Sequence, residues 1–314
     1  MVMQIHPELA AALAQLSGLP PIDYQTMPIA SIRQVLDHLP MPPSGLEMHE
    51  VRDLNIDGPE SPLAARLYRP TADDNMPMVV FFHGGGWCIG TIDTHDGLCR
   101  HIALLTGMNV CSIDYRLAPE HAFPAPLNDA YAATRWVAAH AHELHSDPSR
   151  ILVAGDSAGA NLAIATCLKA RHDQWNGICG QLLLYPVCNA RADSASYSLY
   201  GDMPLLSSTN MQQMWAYYHP AQPVSPLASI LENESLAGLP PAVVVTAELD
   251  ILRDEGNELA RRLAVDGVEV MHLQAQGMVH GFASFSTALP HVASILRDAC
   301  TRLQLLVGTQ ESTA

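Results

Sequence analysis

Short apolar runs recur along most of this chain, and stretches with helical spacing separate them. The runs occupy residues 78–82, 110–114, 151–154, 182–185, 242–246 and 268–273. Continuous apolar strands that alternate with helices are typical of a parallel sheet buried on both faces. Two earlier segments, residues 51–56 and 63–68, are also strand-like and predict an antiparallel start. We therefore predict an α/β fold with a central, mostly parallel, eight-stranded sheet flanked by helices.

Helix-spaced apolar residues mark residues 127–142, 161–171, 255–265 and 292–306. Together with the strands, these helices predict one α/β domain over residues 46–188 and 238–307. The first 45 residues differ, because proline-rich stretches separate an amphipathic helix in residues 1–16 from a helical piece in residues 29–39. In the first helix, one face carries Ile5, Leu9, Leu13 and Leu16. We interpret residues 1–45 as a separate helical appendage.

The regular alternation also lapses between residues 187 and 241. Only residues 210–218 there have a helical pattern, and the segment is too long for a simple connection. We interpret residues 189–237 as a lid or cap insertion. Residues 308–314 are polar and predict a flexible tail.

Charge and cysteine content exclude several kinds of partner. The 314 residues include 16 Lys plus Arg against 32 Asp plus Glu, a formal net charge of -16, which disfavours nucleic acid and anionic membrane surfaces. Seven cysteines without Cys-x-x-Cys spacing favour free thiols in a reducing compartment. The first residues do not resemble a signal peptide, and no apolar run is long enough to span a bilayer. We expect a cytoplasmic protein without stable membrane association.

A Gly-x-Ser-x-Gly motif connects the predicted strand at residues 151–154 to a helix start. Gly155 and Gly159 flank Ser157, and small residues at these positions permit a sharp strand-to-helix turn that exposes the serine hydroxyl. The helix N-terminus that follows favours developing negative charge. The pattern indicates a nucleophilic serine; the alternative is a tight turn with an incidental serine.

A second motif, His83-Gly84-Gly85-Gly86-Trp87, directly follows the predicted strand at residues 78–82. Consecutive glycines leave backbone N–H groups uncovered, and such donors stabilise the oxyanion of a tetrahedral intermediate. The amides of Gly85, Gly86 and Ala158 are the candidate oxyanion hole. A glycine-rich turn or a phosphate cradle is the alternative, although no Gly-Lys-Ser/Thr follows.

An acid and a base must follow the serine in the order Ser, Asp or Glu, His. Asp250 lies just past the predicted strand at residues 242–246, with Glu248 and Asp254 as rivals. Asp254 and Glu255 are more simply interpreted as first-turn acids of a helix. His280 lies in a predicted loop, residues 276–282, after the last strand. Histidines are also clustered at residues 140, 142 and 145, but without His-Glu-x-x-His spacing, so no metal site is predicted.

With residues 83–87, Tyr115-Arg116-Leu117-Ala118-Pro119-Glu120, residues 155–159 and Val279-His280-Gly281-Phe282 in this order, the whole chain resembles the bacterial hormone-sensitive-lipase-like esterases, or family IV. The resemblance implies a capped α/β-hydrolase fold that cleaves short- to medium-chain acyl esters without a cofactor. It also implies that residues 1–45 and 189–237 form the cap, and it assigns the same three catalytic residues, Ser157, Asp250 and His280, and the same three oxyanion-hole amides.

The predicted function is therefore that of a serine carboxylesterase acting through an acyl-enzyme intermediate on a small-molecule ester. An amidase or deacetylase with the same triad, or a catalytically silent ligand-binding relative, are the alternatives. We expect Trp87 and Asp156 to contact substrate, and Arg116 and Glu120 to brace the oxyanion and serine loops. A homodimer that pairs through an edge strand, such as residues 268–273, is the expected assembly.

Overall fold

The computed structural model describes residues 4–16, 22–37 and 44–308. Eight strands form one sheet: β1 (Glu50–Ile56), β2 (Leu63–Arg69), β3 (Met76–Phe82), β4 (Asn109–Ile113), β5 (Ser146–Asp156), β6 (Gly180–Leu184), β7 (Ala242–Leu249) and β8 (Val270–Val279). Their order is β1-β2-β4-β3-β5-β6-β7-β8. The pairs β1–β2 and β2–β4 are antiparallel, and all others are parallel. The prediction of a mostly parallel eight-stranded sheet with an antiparallel start is confirmed.

Helices cover this sheet because the central strands are apolar on both faces. The helices of the described residues are α1 (Pro7–Leu16), α2 (Ile29–Asp37), α3 (Asp96–Thr106), α4 (Ala125–Ala139), α5 (Ala158–His172), α6 (Ala195–Leu199), α7 (Ser208–Tyr218), α8 (Arg253–Val265) and α9 (Pro290–Gly308). Those that contact the strands of the sheet are α3, α4, α5, α8 and α9. Helix α3 packs against α9, and α4 packs against α5. Strands β4 and β6 are fully buried, and β3, β5 and β7 are buried except near the starts of β3 and β5 and at Glu248, so the core lies along the middle of the sheet.

Three strands extend beyond their predicted ends, and one of them is β7, which continues to Leu249 rather than ending at residue 246. Strand β5 begins at Ser146 rather than at residue 151, because Ser146 pairs with Met76 across an irregularity in the β3–β5 register. Strand β8 continues to Val279, where it pairs with Leu249 after a similar irregularity. Most of the segment predicted as a loop, residues 276–282, is therefore strand, and His280 lies immediately after its end. Polar residues and a glycine in this part of β8 conceal the strand pattern.

The predicted cap segments contain more helix than the sequence indicates. Helix α1 buries Leu9, while Leu16 is 40% exposed. Helix α7 agrees with the prediction for residues 210–218, but α6 was missed because its five residues, Ala195–Leu199, are too few for a helical pattern. The predicted start of the first helix, the last two residues of the 29–39 piece and the tail from 309 to 314 lie outside the described residues.

All seven cysteines are free, and every one except Cys179 is buried. This agrees with the predicted free thiols. Over residues 4–16, 22–37 and 44–308, none of the helices has the length and apolar content to cross a membrane.

Candidate active site

The nucleophile candidate, Ser157, occupies a turn between β5 and α5. Its backbone has φ 56° and ψ -118°, a combination that L-residues rarely adopt and that costs about 1–3 kcal/mol. The Ser157 N–H donates to the Leu184 carbonyl at 2.8 Å, which fixes the turn against the end of β6. The side chain therefore leaves the sheet at the carboxyl ends of the parallel strands, where α/β proteins build their sites.

The glycines of the Gly-x-Ser-x-Gly motif are required by close backbone approach. A Cβ on Gly159 would overlap the carbonyl of Phe82, and one on Gly155 would overlap the backbone of Gly159. The first turn of α5 therefore presses directly on the end of β3. Larger residues at either position would push the serine turn away from the glycine-rich loop that follows β3.

Ser157, His280 and Asp250 form one hydrogen-bonded chain. The Nε2 atom of His280 lies 2.8 Å from the Ser157 hydroxyl oxygen, and Nδ1 lies 2.8 Å from Oδ2 of Asp250. Because a carboxylate only accepts, Nδ1–H donates to Asp250 and Nε2 is left to accept the Ser157 proton. Ser157 is 6% exposed, His280 is 8% exposed and Asp250 is 1% exposed. This arrangement can produce an activated serine alkoxide at the surface of a shielded site.

The rival acids have other partners. Glu248 accepts from the amide of Gly277 at 2.6 Å, and Asp254 accepts from the amide of Ser196 at 2.9 Å. Asp250 also accepts from the amide of Leu252 at 3.0 Å, which leaves its second oxygen directed to His280. Among the three candidates, only Asp250 reaches the imidazole.

The loop after β3 carries unoccupied backbone donors next to Ser157. Gly85 has φ 115°, Gly86 has φ 58°, and Trp87 has φ 60°. In the part of the chain that the structure describes, the amides of Gly85, Gly86 and Ala158 donate to no protein acceptor. The amide of Ala158 lies at the N-terminus of α5, where the helix dipole also favours negative charge. The three predicted oxyanion donors are thus available to a ligand.

Asp156 and Trp87, predicted to contact substrate, have partners within the protein. Asp156 accepts from the amide of Gly84 at 2.8 Å and lies 3.2 Å from His95 Nε2. Burial works to raise the pKa of Asp156, but the His95 imidazole and the hydrogen bonds outweigh it and hold that pKa below its ordinary value. The Trp87 ring is fully buried and stacks on Tyr218 of α7, with 4.0 Å between ring centroids.

Behind the loop, His83 is buried between other rings. Its Nδ1 donates to the Gly84 carbonyl at 2.8 Å, and its own carbonyl accepts from the Tyr115 hydroxyl at 2.7 Å. Burial, together with the nearby His95, lowers the pKa of His83 to about 3. His83 is therefore neutral and serves to shape the loop.

The expected brace from residues 115–120 includes Glu120, but Arg33 takes the place predicted for Arg116. Arg116 pairs with Asp129 and does not contact the loop. Glu120 instead binds Arg33 of α2, and Arg33 donates to the carbonyls of Cys88 and Ala118 at 2.7 Å each. Sequence reasoning missed Arg33 and His95, because both reach the loop from distant elements that no local motif marks.

A metal is not indicated by the side chains present. Over residues 4–16, 22–37 and 44–308, no three His, Cys, Asp or Glu side chains are arranged to hold an ion. Of the histidines near residue 145, His140 binds the carbonyl of Trp136 and His145 pairs with Asp74 at 2.6 Å.

Comparisons with known proteins agree with this geometry. A family model described as alpha/beta hydrolase fold matches residues 79–284. Esterase LipI of Mycobacterium tuberculosis is 40% identical over 289 residues, which are 89% of this chain and 89% of LipI. Carboxylesterase NlhH of the same species is 41% identical over 250 residues, 78% of each chain.

Among solved structures, a hyperthermophilic esterase from the archaeon Pyrobaculum calidifontis superimposes with a TM-score of 0.90 at 35% identity. The match covers 97% of this chain and 99% of that one. The likeness therefore extends over nearly the full length of both proteins. The chain therefore belongs to the alpha/beta-hydrolase fold family, among its hormone-sensitive-lipase-like esterases.

Proposed function

We propose that this protein is a serine carboxylesterase in which Ser157 forms an acyl-enzyme with short- to medium-chain esters. The observation that carries the proposal is the continuous hydrogen-bonded chain from Ser157 through His280 to Asp250. His280 takes the Ser157 proton as Oγ attacks the ester carbonyl, and then gives it to the leaving alcohol. Water, deprotonated by the same imidazole, releases the carboxylic acid. Asp250 holds the ring orientation throughout.

The oxyanion formed at each step accepts hydrogen bonds from the amides of Gly85, Gly86 and Ala158. Two observations support this role. In the described residues the three amides donate to no protein acceptor, and they lie around the serine turn. Backbone donors held in a shielded site need no reorganisation during reaction, and each is worth roughly 10²–10³ in rate. The proposed oxyanion hole thus supplies most of the electrostatic stabilisation of the transition state.

The relatives named esterase or carboxylesterase support an ester of a small molecule as substrate. The net charge of -16 favours uncharged acyl and alcohol groups over strongly anionic ones. Residues 1–45 and 189–237 form the proposed cap, and α7 supports this because Met214 lies on Gly86 and Tyr218 stacks on Trp87. Sequence divergence in a cap would then select the acyl chain.

Assembly and location are also proposals. Strand β8 lies at the edge of the sheet, so two copies can pair there as a homodimer. Seven free thiols support a reducing, cytoplasmic location.

The experiment that tests the function is hydrolysis of nitrophenyl esters with increasing acyl length. Wild type should be most active on short chains, and Ser157→Ala should be inactive on all of them. Ser149→Ala is the matched control, because Ser149 is exposed and lies near the start of β5, whereas Ser157 follows the end of that strand. A matched nitroanilide series separates an amidase from an esterase. Equal activity of Ser157→Ala and wild type would eliminate the proposed mechanism.

A further inference from the structure

His95 lies outside the hydrogen-bonded triad, yet it reaches the residue next to the nucleophile. It ends a short 3₁₀ turn, Asp93–His95, directly before α3. Its Nε2 lies 3.2 Å from Oδ1 of Asp156, and its Nδ1 lies 2.9 Å from the hydroxyl of Thr94. The His95 and Asp156 side chains are only 11% and 6% exposed. The ring is thus held at both nitrogens inside the protein.

The same Asp156 oxygen, Oδ1, accepts the amide N–H of Gly84 at 2.8 Å. Gly84 begins the run of glycines whose next two amides are the proposed oxyanion donors. A Cβ on Gly84 would overlap the Asp156 carboxylate, so backbone and carboxylate are in close contact. Through Asp156, His95 is therefore two hydrogen bonds away from the oxyanion loop.

The loop needs such support from outside. Gly85, Gly86 and Trp87 all have positive φ, and a loop of this kind has no regular backbone pairing to hold its donors in direction. An error of about 1 Å in the position of a catalytic group can cost 10²-fold in rate. The direction of the Gly85 and Gly86 amides thus depends on the contacts that hold Gly84.

We propose that His95 is a positioning residue for ester hydrolysis, which orients the oxyanion loop by holding and electrostatically compensating Asp156. The inference rests on the proposed esterase function. Without the His95 donor, the buried Asp156 charge would oppose the oxyanion that develops nearby, and its free lone pair would compete for the loop amides. His95 is not itself a contact of the reacting atoms.

The test compares His95→Phe, which keeps a ring but has no donor, with His95→Gln, which retains an N–H donor. We expect His95→Phe to lower kcat roughly 10- to 100-fold, less than deletion of a whole oxyanion donor, with KM within about twofold. His95→Gln should recover most of that loss. His101→Gln is the control for changing a buried histidine, since His101 lies in α3 without contacting Asp156.

A second readout separates positioning from a general structural effect. A trifluoromethyl ketone accepts Ser157 Oγ at its carbonyl carbon, the proton passes to His280, and the carbonyl oxygen becomes an oxyanion. Its inhibition constant should rise with His95→Phe in proportion to the loss in kcat/KM. The matched methyl ketone, which binds without forming that oxyanion to the same extent, should retain its affinity.

Because His95 acts on the oxyanion loop through Asp156, the effects of substituting the two residues should not be additive. In an Asp156→Asn background, His95→Phe should cause at most a small further loss in kcat, because the charge that His95 compensates is absent.

Should His95→Phe not fold, Thr94→Val removes the hydroxyl that orients the His95 ring and should lower kcat in the same way but less. Wild-type kcat in the folded variants, or a loss confined to KM, would overturn the inference. Inactivity of wild type itself would instead refute the esterase function.

Discussion

The buried carboxyl of Glu255 predicts how the free energy of unfolding changes with pH, and its surroundings determine the size of the change. Its side chain is 2% exposed at the start of α8, and Oε1 accepts from the amides of Cys188 at 2.6 Å and Asn189 at 3.3 Å. Burial, assisted by the charge of Asp250, raises the pKa of Glu255 from 4.5 to about 8 despite these hydrogen bonds. Glu255 lies in the first turn of α8, as predicted, but its carboxyl faces the interior and accepts from the amides of Cys188 and Asn189.

A raised carboxyl pKa makes stability fall as pH rises. Between pH 4.5 and about 8 the folded protein holds a proton on Glu255 that the unfolded chain has released. Below this interval both states are protonated and the group contributes nothing. Above it the full cost is present, on the order of 5 kcal/mol for a shift of this size. Glu255→Gln keeps the shape of the protonated side chain and removes this cost.

The assay is urea unfolding of wild type and Glu255→Gln at pH 5 and pH 9. The two proteins should have similar free energies of unfolding at pH 5, and the variant should be more stable by a few kcal/mol at pH 9. Glu258→Gln is the control, because Glu258 lies on the same helix in an exposed pair with Arg261. A stability difference between wild type and Glu255→Gln that is the same at both pH values would refute the reasoning.

Three further predictions concern the site. Gly159→Ala should destabilise the fold by roughly 1–3 kcal/mol, because its Cβ would overlap the Phe82 carbonyl; thermal unfolding measures this. Asp250→Asn should lower kcat about 10⁴-fold with little change in melting temperature, because the imidazole loses its orienting acceptor; steady-state kinetics measures it. Arg33→Met should cost about 1–3 kcal/mol of stability by leaving the buried carbonyl of Cys88 without its donor; urea unfolding measures this.

Matched changes control these predictions. Gly97→Ala should be tolerated, since the nearest atom to its Cβ lies at an ordinary 3.4 Å. Arg52→Met removes only an exposed ion pair and should leave stability nearly unchanged. If Gly159→Ala were as stable as Gly97→Ala, or Arg33→Met as stable as Arg52→Met, the packing argument would be wrong. An Asp250→Asn variant with kcat near wild type would exclude Asp250 as the orienting acid.

The strands, and the three residues that the structure joins by hydrogen bonds, Ser157, His280 and Asp250, were predictable because their sequence signals are local. Apolar runs marked six of the eight strands, strand-like segments marked the first two, and the order of motifs placed Ser157 before Asp250 and His280. The α/β-hydrolase fold prediction is confirmed. The end of β8 was hidden, since its polar residues pair with β7 only after a register irregularity.

Residues that support the site from a distance gave no local signal. Arg33 and His95 lie 55 and 61 positions from the groups they hold, Cys88 and Asp156, and their sequence neighbours suggest only helix and turn. Such contacts depend on where α2 and the turn before α3 lie in the folded protein. The periodicity of apolar residues in the sequence does not specify these positions. Trp87 and Asp156 make their contacts with protein groups, so a substrate contact of either residue stays a prediction.

The most direct measurement is mass spectrometry of the protein after reaction with diethyl 4-nitrophenyl phosphate. Ser157 Oγ should bond to phosphorus as nitrophenolate leaves, and the proton should pass to His280. We predict one diethylphosphoryl group per chain, located at Ser157, with one nitrophenolate released and no labelling of Ser157→Ala. Labelling should be much slower in His280→Gln. An active wild-type enzyme that is unlabelled, or labelled at another residue, would contradict the account.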